Sequence, residues 1–244
     1  MIELKQIRKD YGERTVIKNQ SLSIKDKEFF VLIGPSGSGK TTLLKLINRL
    51  IDPTEGDVLL NGKSVMDYPL RKLRLNTGYV LQQIALFPNL TVAENIELVP
   101  IMKKWPKQIR KEQTTQLLSK VGLDPKIYGH RYPHELSGGE QQRVSIVRAI
   151  IGKPEILLMD EPFSALDPIS RRQLQDLIKT LHHELGLTIV FVTHNMEEAA
   201  YLGDRLCIMN HGEIIQTGTP DEIKSRPEND FVARFFSRGC DGFE

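Results

Sequence analysis

The segment that most constrains the fold is a glycine-rich turn between an apolar run and a helical pattern. Residues 29–33 read FFVLI, residues 34–41 read GPSGSGKT and residues 42–47 read TLLKLI. The turn fits G-x-x-x-x-G-K-[ST] in the strand-to-helix context that this pattern requires. Its backbone N–H groups and the following helix N-terminus attract phosphate. Lys40 adds a point charge, and the Thr41 hydroxyl suits Mg²⁺. We expect a nucleoside-triphosphate site here, and the alternative is a Gly/Ser turn before an ordinary helix.

Three short apolar runs predict a parallel β-sheet that is buried on both faces. They are residues 29–33, 156–159 and 189–192, and none of them alternates apolar with polar side chains. Strands that are covered on both faces read as continuous apolar runs. Each run leads into a turn or charged residues and then a helical pattern, as βα units do. The sequence therefore predicts an α/β fold.

The regions outside these runs have other patterns. Residues 1–25 and 57–65 alternate more and are broken by Tyr11-Gly12 and by Asn61-Gly62, a strong hairpin signal, so we expect an antiparallel β region. Residues 87–151 have a mostly helical pattern with prolines at the connections, which predicts a helical subdomain.

These patterns suggest how one domain, residues 1–244, is organised. Residues 1–86 and 152–244 form the core with its antiparallel β region, and residues 87–151 form the inserted helical subdomain. In the tail we expect one short helix after Thr219-Pro220 and no further domain.

Charge and hydropathy exclude several classes of protein. The chain has 244 residues, with 33 Lys and Arg against 31 Asp and Glu, a formal net charge of +2. So small an excess gives no reason to expect nucleic acid or an anionic membrane as the main partner. The longest apolar run, residues 29–33, is far shorter than the roughly 20 residues of a membrane-spanning helix. The N-terminal residues lack the apolar stretch of a secretory signal. We expect a protein that is soluble on its own.

The two cysteines suit a reducing cytosol. Cys207 lies in the apolar stretch RLCIM and is expected to be a buried core residue, whereas Cys240 lies in a polar tail and is expected to be an exposed thiol. Neither belongs to a C-x-x-C pattern or has a histidine at metal-binding spacing.

Two carboxylates follow the second apolar run. Asp160 and Glu161 come where that strand is expected to end, and ligands of doubly wound sheets bind beyond this edge. If the strand lies beside the one that precedes the glycine-rich turn, Asp160 is near Mg²⁺. Glu161 then accepts a proton from, or orients, the water that attacks the γ-phosphate. The alternative is that both are solvated carboxylates that cap a neighbouring helix.

A second turn is also suited to an anion. Residues 136–143 read LSGGEQQR, and the helical pattern that follows has Val144, Val147 and Ile151 on one face. Ser137 is an N-cap type residue, and two glycines permit close backbone approach. The chain has two such sites but one lysine-bearing turn, so we expect a second copy, arranged head to tail, to supply the missing half. The alternative is a loop that serves only its own fold.

Over nearly the whole chain, these motifs resemble those of the ATP-binding subunits of ABC transporters. The segment 34–41 is similar to Walker A, LSGGEQQR to the signature motif and ILLMDEP at 156–162 to Walker B. Further along the chain come segments similar to the D-loop (Ser164, Ala165, Leu166 and Asp167) and to the H-loop (Thr193-His194).

Two weaker motifs continue the resemblance. Tyr11 resembles the A-loop aromatic that stacks on adenine, and the alternative is a turn aromatic that covers the core. Residues 78–83 read GYVLQQ and resemble the Q-loop. In the family a glutamine usually follows a hydrophobic pair, which favours Gln82 as Mg²⁺ ligand and sensor, but the adjacent Gln83 keeps the assignment open.

The resemblance implies a P-loop NTPase with a RecA-like core, an antiparallel β subdomain and an inserted helical subdomain. It implies a homodimer in the ATP-bound state that sandwiches two Mg-ATP, with Glu161 as general base and His194 on the γ-phosphate. His194 could instead be a satisfied histidine at a strand end. The implied metal ligands are Thr41, Gln82 and Asp160. The implied nucleotide-binding residues are Tyr11, Gly34, Pro35, Ser36, Gly37, Ser38, Gly39, Lys40, Thr41, Thr42, Gln82, Ser137, Gly138 and Gly139. His182 and His183 are expected to face solvent, without a metal.

Transport would need partners, because the sequence contains no membrane span. The resemblance implies transmembrane permease subunits, docked on the helical subdomain near the Q-loop, and an extracellular or periplasmic solute-binding protein. The chain would then lie peripherally on the cytoplasmic face of the membrane. The segments 82–88, 94–100 and 103–105 resemble those of osmoprotectant importers for glycine betaine, carnitine or choline. Importers of amino acids or other small polar solutes stay open.

Two further expectations concern regulation and the alternative function. The chain ends soon after Phe235-Phe236, so we expect no CBS domains and no ionic-strength sensing through them. The alternative function is a non-transport ABC ATPase. ABC ATPases that act in DNA repair insert a long coiled coil between the Walker A and signature motifs, and those that act on ribosomes usually fuse two ATPase halves. This sequence suggests neither feature. A protein with dead chemistry would lack Lys40 or Glu161, and both are present.

Overall fold

A computed structural model describes residues 2–237 of the chain, so Cys240 lies outside the described residues. Its strands are β1 (Ile2–Tyr11), β2 (Arg14–Ile24), β3 (Phe29–Ile33), β4 (Glu55–Leu60), β5 (Lys63–Ser64), β6 (Thr77–Val80), β7 (Ile156–Asp160), β8 (Thr188–Thr193), β9 (Arg205–Asn210) and β10 (Glu213–Gly218). Its α-helices are α1 (Lys40–Ile47), α2 (Leu70–Leu75), α3 (Val92–Met102), α4 (Lys107–Lys120), α5 (Pro125–Tyr128), α6 (Gly138–Ile150), α7 (Pro168–Leu185), α8 (Met196–Leu202), α9 (Pro220–Ser225) and α10 (Asp230–Ser237).

The chain forms two compact units. The first comprises Met1–Leu73 and Leu185–Glu244, and the second comprises Arg74–Glu184. The division predicted from the sequence, with a helical subdomain at 87–151, stays a prediction.

The first unit contains a parallel sheet around β3. β3 lies between β8 and β9 and is parallel to both, while β10 pairs antiparallel with β9. Every residue of β3 and β8 is buried, as the continuous apolar runs predict. Cys207 is fully buried in β9, also as predicted. The sequence patterns predict no strands within residues 205–218, where β9 and β10 form a hairpin.

The antiparallel β region predicted from the sequence is confirmed in the same unit. The strand order is β2-β1-β4-β5. Asn61 and Gly62 connect β4 to β5 with φ of 50° and 78°, respectively. Two successive positive φ values match the twist of a two-residue hairpin, which explains the Asn-Gly pair. The short helix predicted in the tail is α9.

The second unit combines a strand pair with packed helices. β6 and β7 are parallel, and Val80 is the register partner of Met159. The helical pattern predicted within residues 87–151 is confirmed by α3, α4, α5 and α6. Val144, Val147 and Ile151 lie together in the apolar cluster that these helices bury, so the predicted apolar face of α6 is confirmed. None of the helices between residues 2 and 237 has the length and apolar character that crossing a bilayer requires.

Candidate nucleotide-binding site

The phosphate-binding loop (residues 34–39) connects β3 to α1 in the first unit, as predicted. β3 ends at Ile33 and α1 begins at Lys40. Gly39 has φ of 104°, and a Cβ atom at this position would lie 2.5 Å from Cδ1 of Ile17 on β2. A residue with a side chain would be strained in this conformation and would also collide with Ile17. The tight entry into α1 therefore requires glycine.

The Lys40 ammonium is drawn into this loop. Its Nζ donates hydrogen bonds to the backbone oxygens of Gly34 at 2.7 Å and Pro35 at 2.9 Å. The residue is only 5% exposed, and the first turn of α1 contains no acidic side chain. The cation and the positive end of the helix dipole therefore act at the same place. This arrangement is suited to a phosphate group.

His194 lies at the same edge of the parallel sheet as the phosphate-binding loop. Ile33 and Thr193 are register partners, so Gly34 and His194 follow the paired ends of β3 and β8. The Thr193 hydroxyl donates to the Glu198 carboxylate at 2.7 Å, which fixes the turn after β8. The His194 side chain is exposed at this edge, where ligands of such sheets bind.

Tyr11 ends β1 at the hairpin with β2. The residue is 50% exposed, and the Nζ atom of Lys9 lies 5.1 Å from its ring centre. This exposure argues against the alternative that the ring covers the core. Contact with adenine stays a prediction.

In the second unit, the carboxyl ends of β6 and β7 bring three predicted residues to one edge. Because Val80 and Met159 are register partners, Gln82, Asp160 and Glu161 follow within two residues of the paired positions. Asp160 is 6% exposed. Gln82 and Gln83 are both exposed, so burial does not distinguish between them as the Q-loop glutamine.

Glu161 has an unusual backbone conformation. Its φ of 43° lies in the left-handed region, and its carbonyl oxygen accepts the Ser164 N–H at 3.3 Å in the turn that follows β7. A non-glycine residue held in this region is strained by about 1–3 kcal/mol, and such strain clusters at functional sites. The turn therefore fixes the direction in which the Glu161 side chain leaves the backbone, next to Asp160 in the sequence.

The turn at residues 137–139 opens α6 with a capping box. The Ser137 hydroxyl accepts the Glu140 N–H at 3.3 Å, and the Glu140 carboxylate accepts the Ser137 N–H at 2.7 Å. The Tyr128 hydroxyl also donates to Glu140, at 2.6 Å, and this hydrogen bond lowers the pKa of Glu140. A Cβ atom on Gly138 would meet nothing within 4 Å. The predicted N-cap role of Ser137 is confirmed.

The segment resembling the D-loop leads into α7. Ser164 and Ala165 are exposed, while Leu166 is buried. The Asp167 carboxylate accepts the N–H groups of Ile169 at 3.1 Å and Ser170 at 3.0 Å, and its hydrogen bonds with Ser170 lower its pKa. Asp167 is therefore an ionised cap of α7 that fixes the path of this loop.

The predicted metal ligands supply oxygen atoms. A hydroxyl from Thr41, an amide oxygen from Gln82 and a carboxylate from Asp160 are the hard donors that Mg²⁺ takes, usually with waters and substrate phosphates completing its shell. Among residues 2–237, no group of three or more His, Cys, Asp or Glu side chains could hold a metal ion. One carboxylate with neutral oxygens fits Mg²⁺ that is bound together with a nucleotide.

Comparison with known proteins identifies the family. A family model described as ABC transporter matches residues 17–164, more than half of the chain. The chain belongs to the ABC transporter family. Two solved structures of one dimeric ABC transporter cassette have the same fold, with TM-scores of 0.81 and 37% and 38% identity, over 90% of this chain and 99% of theirs. One is titled a post-hydrolysis state bound to ADP and Pi. The predicted P-loop NTPase fold is confirmed.

Curated ABC transporter relatives match nearly the whole chain. The glycine betaine/carnitine/choline transport ATP-binding protein OpuCA of Bacillus subtilis is 49% identical over 98% of this chain and 63% of its own length. The osmoprotectant import ATP-binding protein OsmV of Salmonella typhimurium is 44% identical over 96% of this chain and 63% of its own length. The glycine betaine uptake system ATP-binding protein YehX of Escherichia coli is 44% identical, over 98% and 77% respectively. The chain thus spans about three fifths of the length of the first two.

Sequence reasoning missed a buried amide in this ABC transporter chain. Asn95 is fully buried, accepts the Phe87 N–H at 2.8 Å and donates to the carbonyl oxygens of Phe87, Leu90 and Thr91 at 3.0–3.1 Å. These hydrogen bonds fix the conformation of residues 87–91, which lie between the Q-loop and α3. The available signal was an asparagine inside the apolar pattern of α3. A buried amide at such a position must have hydrogen-bond partners.

One histidine prediction is wrong. His182 is 7% exposed, whereas His183 is exposed as expected. Both lie on α7, whose apolar side chains Leu174, Ile178 and Leu181 are buried. His182 lies four residues after Ile178 and eight after Leu174, so it shares their buried face of the helix, although its neighbours in the sequence are polar.

Proposed function

We propose that the chain is the ATP-binding and ATP-hydrolysing subunit of an ABC importer for a small osmoprotectant, a quaternary amine such as glycine betaine, carnitine or choline. The observation that carries the proposal is the phosphate-binding loop, in which a buried lysine and a helix N-terminus converge. Family membership supports the activity. The match of nearly the whole of this chain to parts of osmoprotectant import proteins supports the class of solute.

The phosphate-binding loop is proposed to hold the triphosphate. Its backbone N–H groups and Lys40 would balance the phosphate charge, and Thr41, Asp160 and Gln82 are the residues proposed to hold Mg²⁺. Magnesium, when bound, neutralises charge that develops on the phosphate oxygens. The exposed Tyr11 ring is proposed to stack on the adenine base.

Hydrolysis is proposed to depend on Glu161 and His194. Glu161 accepts a proton from the attacking water, and the strained backbone after β7 fixes where its side chain leaves the main chain. His194, exposed at the carboxyl edge of β8, contacts the γ-phosphate. These two residues are the proposed catalytic groups.

We infer that two copies complete each site. The turn at residues 137–139 presents the N-terminus of α6, with open space around Gly138, which suits an incoming phosphate. Each turn would cover the nucleotide of the other copy in a homodimer, and the D-loop (Ser164, Ala165, Leu166 and Asp167) would lie at the interface. The dimeric state of the solved cassettes supports this arrangement.

The remaining partners follow from the importer proposal. The chain would bind transmembrane permease subunits at the cytoplasmic face of the membrane, and a solute-binding protein would deliver the solute from outside. The exposed side chains of Leu81 and Phe87, next to the Q-loop, support a docking surface there.

Three experiments test the function. The purified chain should hydrolyse ATP in the presence of Mg²⁺. Pull-down from native membranes should then recover a permease and a solute-binding protein, and deletion of the gene should abolish uptake of labelled glycine betaine, carnitine or choline. Loss of amino-acid or polyamine uptake alone would redirect the solute assignment. Recovery with ribosomes or DNA ends would contradict transport.

A further inference from the structure

The Tyr79 hydroxyl on β6 is a buried polar group without a partner. Its Oη atom is shielded from solvent, and no group between residues 2 and 237 forms a hydrogen bond with it. Nearly all buried hydroxyls in native proteins are satisfied, because an unsatisfied one destabilises the fold. A phenylalanine would fill the same space without this cost. The hydroxyl therefore indicates a partner that becomes available only when a ligand binds.

The location of Tyr79 connects it with Asp160. Tyr79 is the register partner of Leu158 on β7, and Leu158 and Asp160 share a face of the strand because they are two positions apart. Asp160 is itself buried. Burial, and then the Asp160 carboxylate, raise the pKa of Tyr79. A hydrogen-bond donor therefore lies near the carboxylate.

We propose that Tyr79 is a positioning residue for metal-bound nucleotide: its hydroxyl donates a hydrogen bond to the Asp160 carboxylate, or to a water held by it, when Mg²⁺ and nucleotide bind. The inference rests on the proposed function, in which Asp160 is a metal ligand. A donor that orients one carboxylate oxygen leaves the other directed at the metal, as outer-shell partners of metal ligands do.

The test compares Tyr79→Phe with Tyr68→Phe in the whole chain. Tyr68 is a matched control in the first unit, because its hydroxyl donates to the Leu60 carbonyl oxygen at 3.3 Å. Without ligands, Tyr79→Phe should keep or raise the thermal midpoint, since it removes an unsatisfied group. Tyr68→Phe should lower the midpoint, since it removes a satisfied one.

The second measurement is an Mg²⁺ titration at a fixed concentration of a non-hydrolysable ATP analogue, with binding followed by calorimetry. Tyr79→Phe should need roughly three- to thirtyfold more Mg²⁺ for half-maximal binding, the loss of one hydrogen bond to a charged group or its water. Tyr68→Phe should titrate like the wild type.

The outcomes separate this inference from the proposed function. A Tyr79→Phe chain with a lowered midpoint and an unchanged Mg²⁺ titration has lost only packing, and the inference is then wrong while the function stands. A wild-type chain that shows no Mg²⁺-dependent binding of the analogue overturns both.

Discussion

At the scale of single residues, the functional candidates are residues whose burial or backbone conformation destabilises the folded chain. Lys40 is a buried cation, Asp160 a buried carboxylate and Glu161 a non-glycine residue with positive φ. Each is less favourable for folding than an ordinary residue at the same position. Their occurrence next to the ends of β3 and β7 supports roles in binding and chemistry.

Glu161→Gln tests the proposed base. Removing the carboxylate should lower the rate of ATP hydrolysis by roughly 10²–10⁴, the usual contribution of a positioned base. ATP should still bind, because the charge lost does not belong to the phosphate-binding loop. Hydrolysis and ATP affinity are measured on the same preparation. Glu184→Gln, at an ion pair with Lys120 on the same unit, is the control and should hydrolyse normally. Near-normal turnover in Glu161→Gln would contradict the assignment.

Cys207 should lower the free energy of unfolding at alkaline pH. Burial raises the pKa of its thiol to about 12, from an ordinary value of 9.0. The folded chain therefore holds this proton more tightly than the unfolded chain. Stability is unaffected below the unfolded pKa and falls as pH rises from 9.0 toward about 12. Between pH 8 and pH 10 the group should cost about 1 kcal/mol of unfolding free energy.

Urea denaturation at the two pH values measures this effect. Cys207→Ala is the comparison, because it removes the titrating group and keeps the other alkaline titrations. The wild type should lose more stability than the variant over this range. Equal losses would show that the thiol titrates normally in the folded chain.

At the scale of elements, one capping motif serves two purposes. α6 begins with a capping box between Ser137 and Glu140, and α9 begins with the same motif between Thr219 and Glu222. Both stabilise a helix N-terminus. Of these two turns, only the one before α6 has two glycines that leave its N-terminal backbone accessible, so α6 and not α9 is proposed to bind phosphate.

Ser137→Ala and Thr219→Ala separate folding from function. Each should lower the free energy of unfolding by about 1 kcal/mol, the usual effect of losing an N-cap side chain. Only Ser137→Ala should also lower ATP hydrolysis. Denaturation curves and turnover are measured for both variants. If Thr219→Ala reduced hydrolysis as strongly, the effect of Ser137→Ala would reflect stability alone.

At the scale of the whole molecule, the proposed composite site predicts that two variants that are inactive alone restore activity when they are mixed. Lys40→Ala should inactivate the phosphate-binding loop, and Gly138→Asp should place a negative charge at the turn that faces the other copy's nucleotide. The open space around Gly138 accommodates the new side chain without a clash. Each variant alone should be inactive, because every site in its dimer contains one defect.

Mixing the two variants in equal amounts should restore activity. In a mixed dimer both defects fall in one site, and the other site is intact. If copies pair at random and sites act independently, about a quarter of wild-type turnover returns. Turnover is followed against the mixing ratio, with Lys40→Ala mixed with Glu161→Gln as the control. In that control both defects belong to the nucleotide-holding half, so no mixed dimer has an intact site. If the mixture of Lys40→Ala and Gly138→Asp stays inactive, the proposal that two copies complete each site is wrong.

The sequence by itself determined the local elements and the chemistry they carry. Continuous apolar runs define β3, β7 and β8, since strands buried on both faces are mostly apolar along their length. Fixed spacing defines the phosphate-binding loop and the N-cap of α6, because both depend on residues that are close in the chain. The family followed from these motifs.

Only the tertiary structure decided what long-range packing controls. The β9–β10 hairpin and the burial of His182 depend on neighbours that are distant in sequence. The hydrogen bonds of Asn95 depend on the path of the loop before α3, which the pattern does not reveal. The positive φ of Glu161 belongs to the turn after β7, and the unsatisfied hydroxyl of Tyr79 depends on the packing around β6. Burial is a property of the assembled core, and a linear pattern reports it only where one face of an element is uniformly apolar.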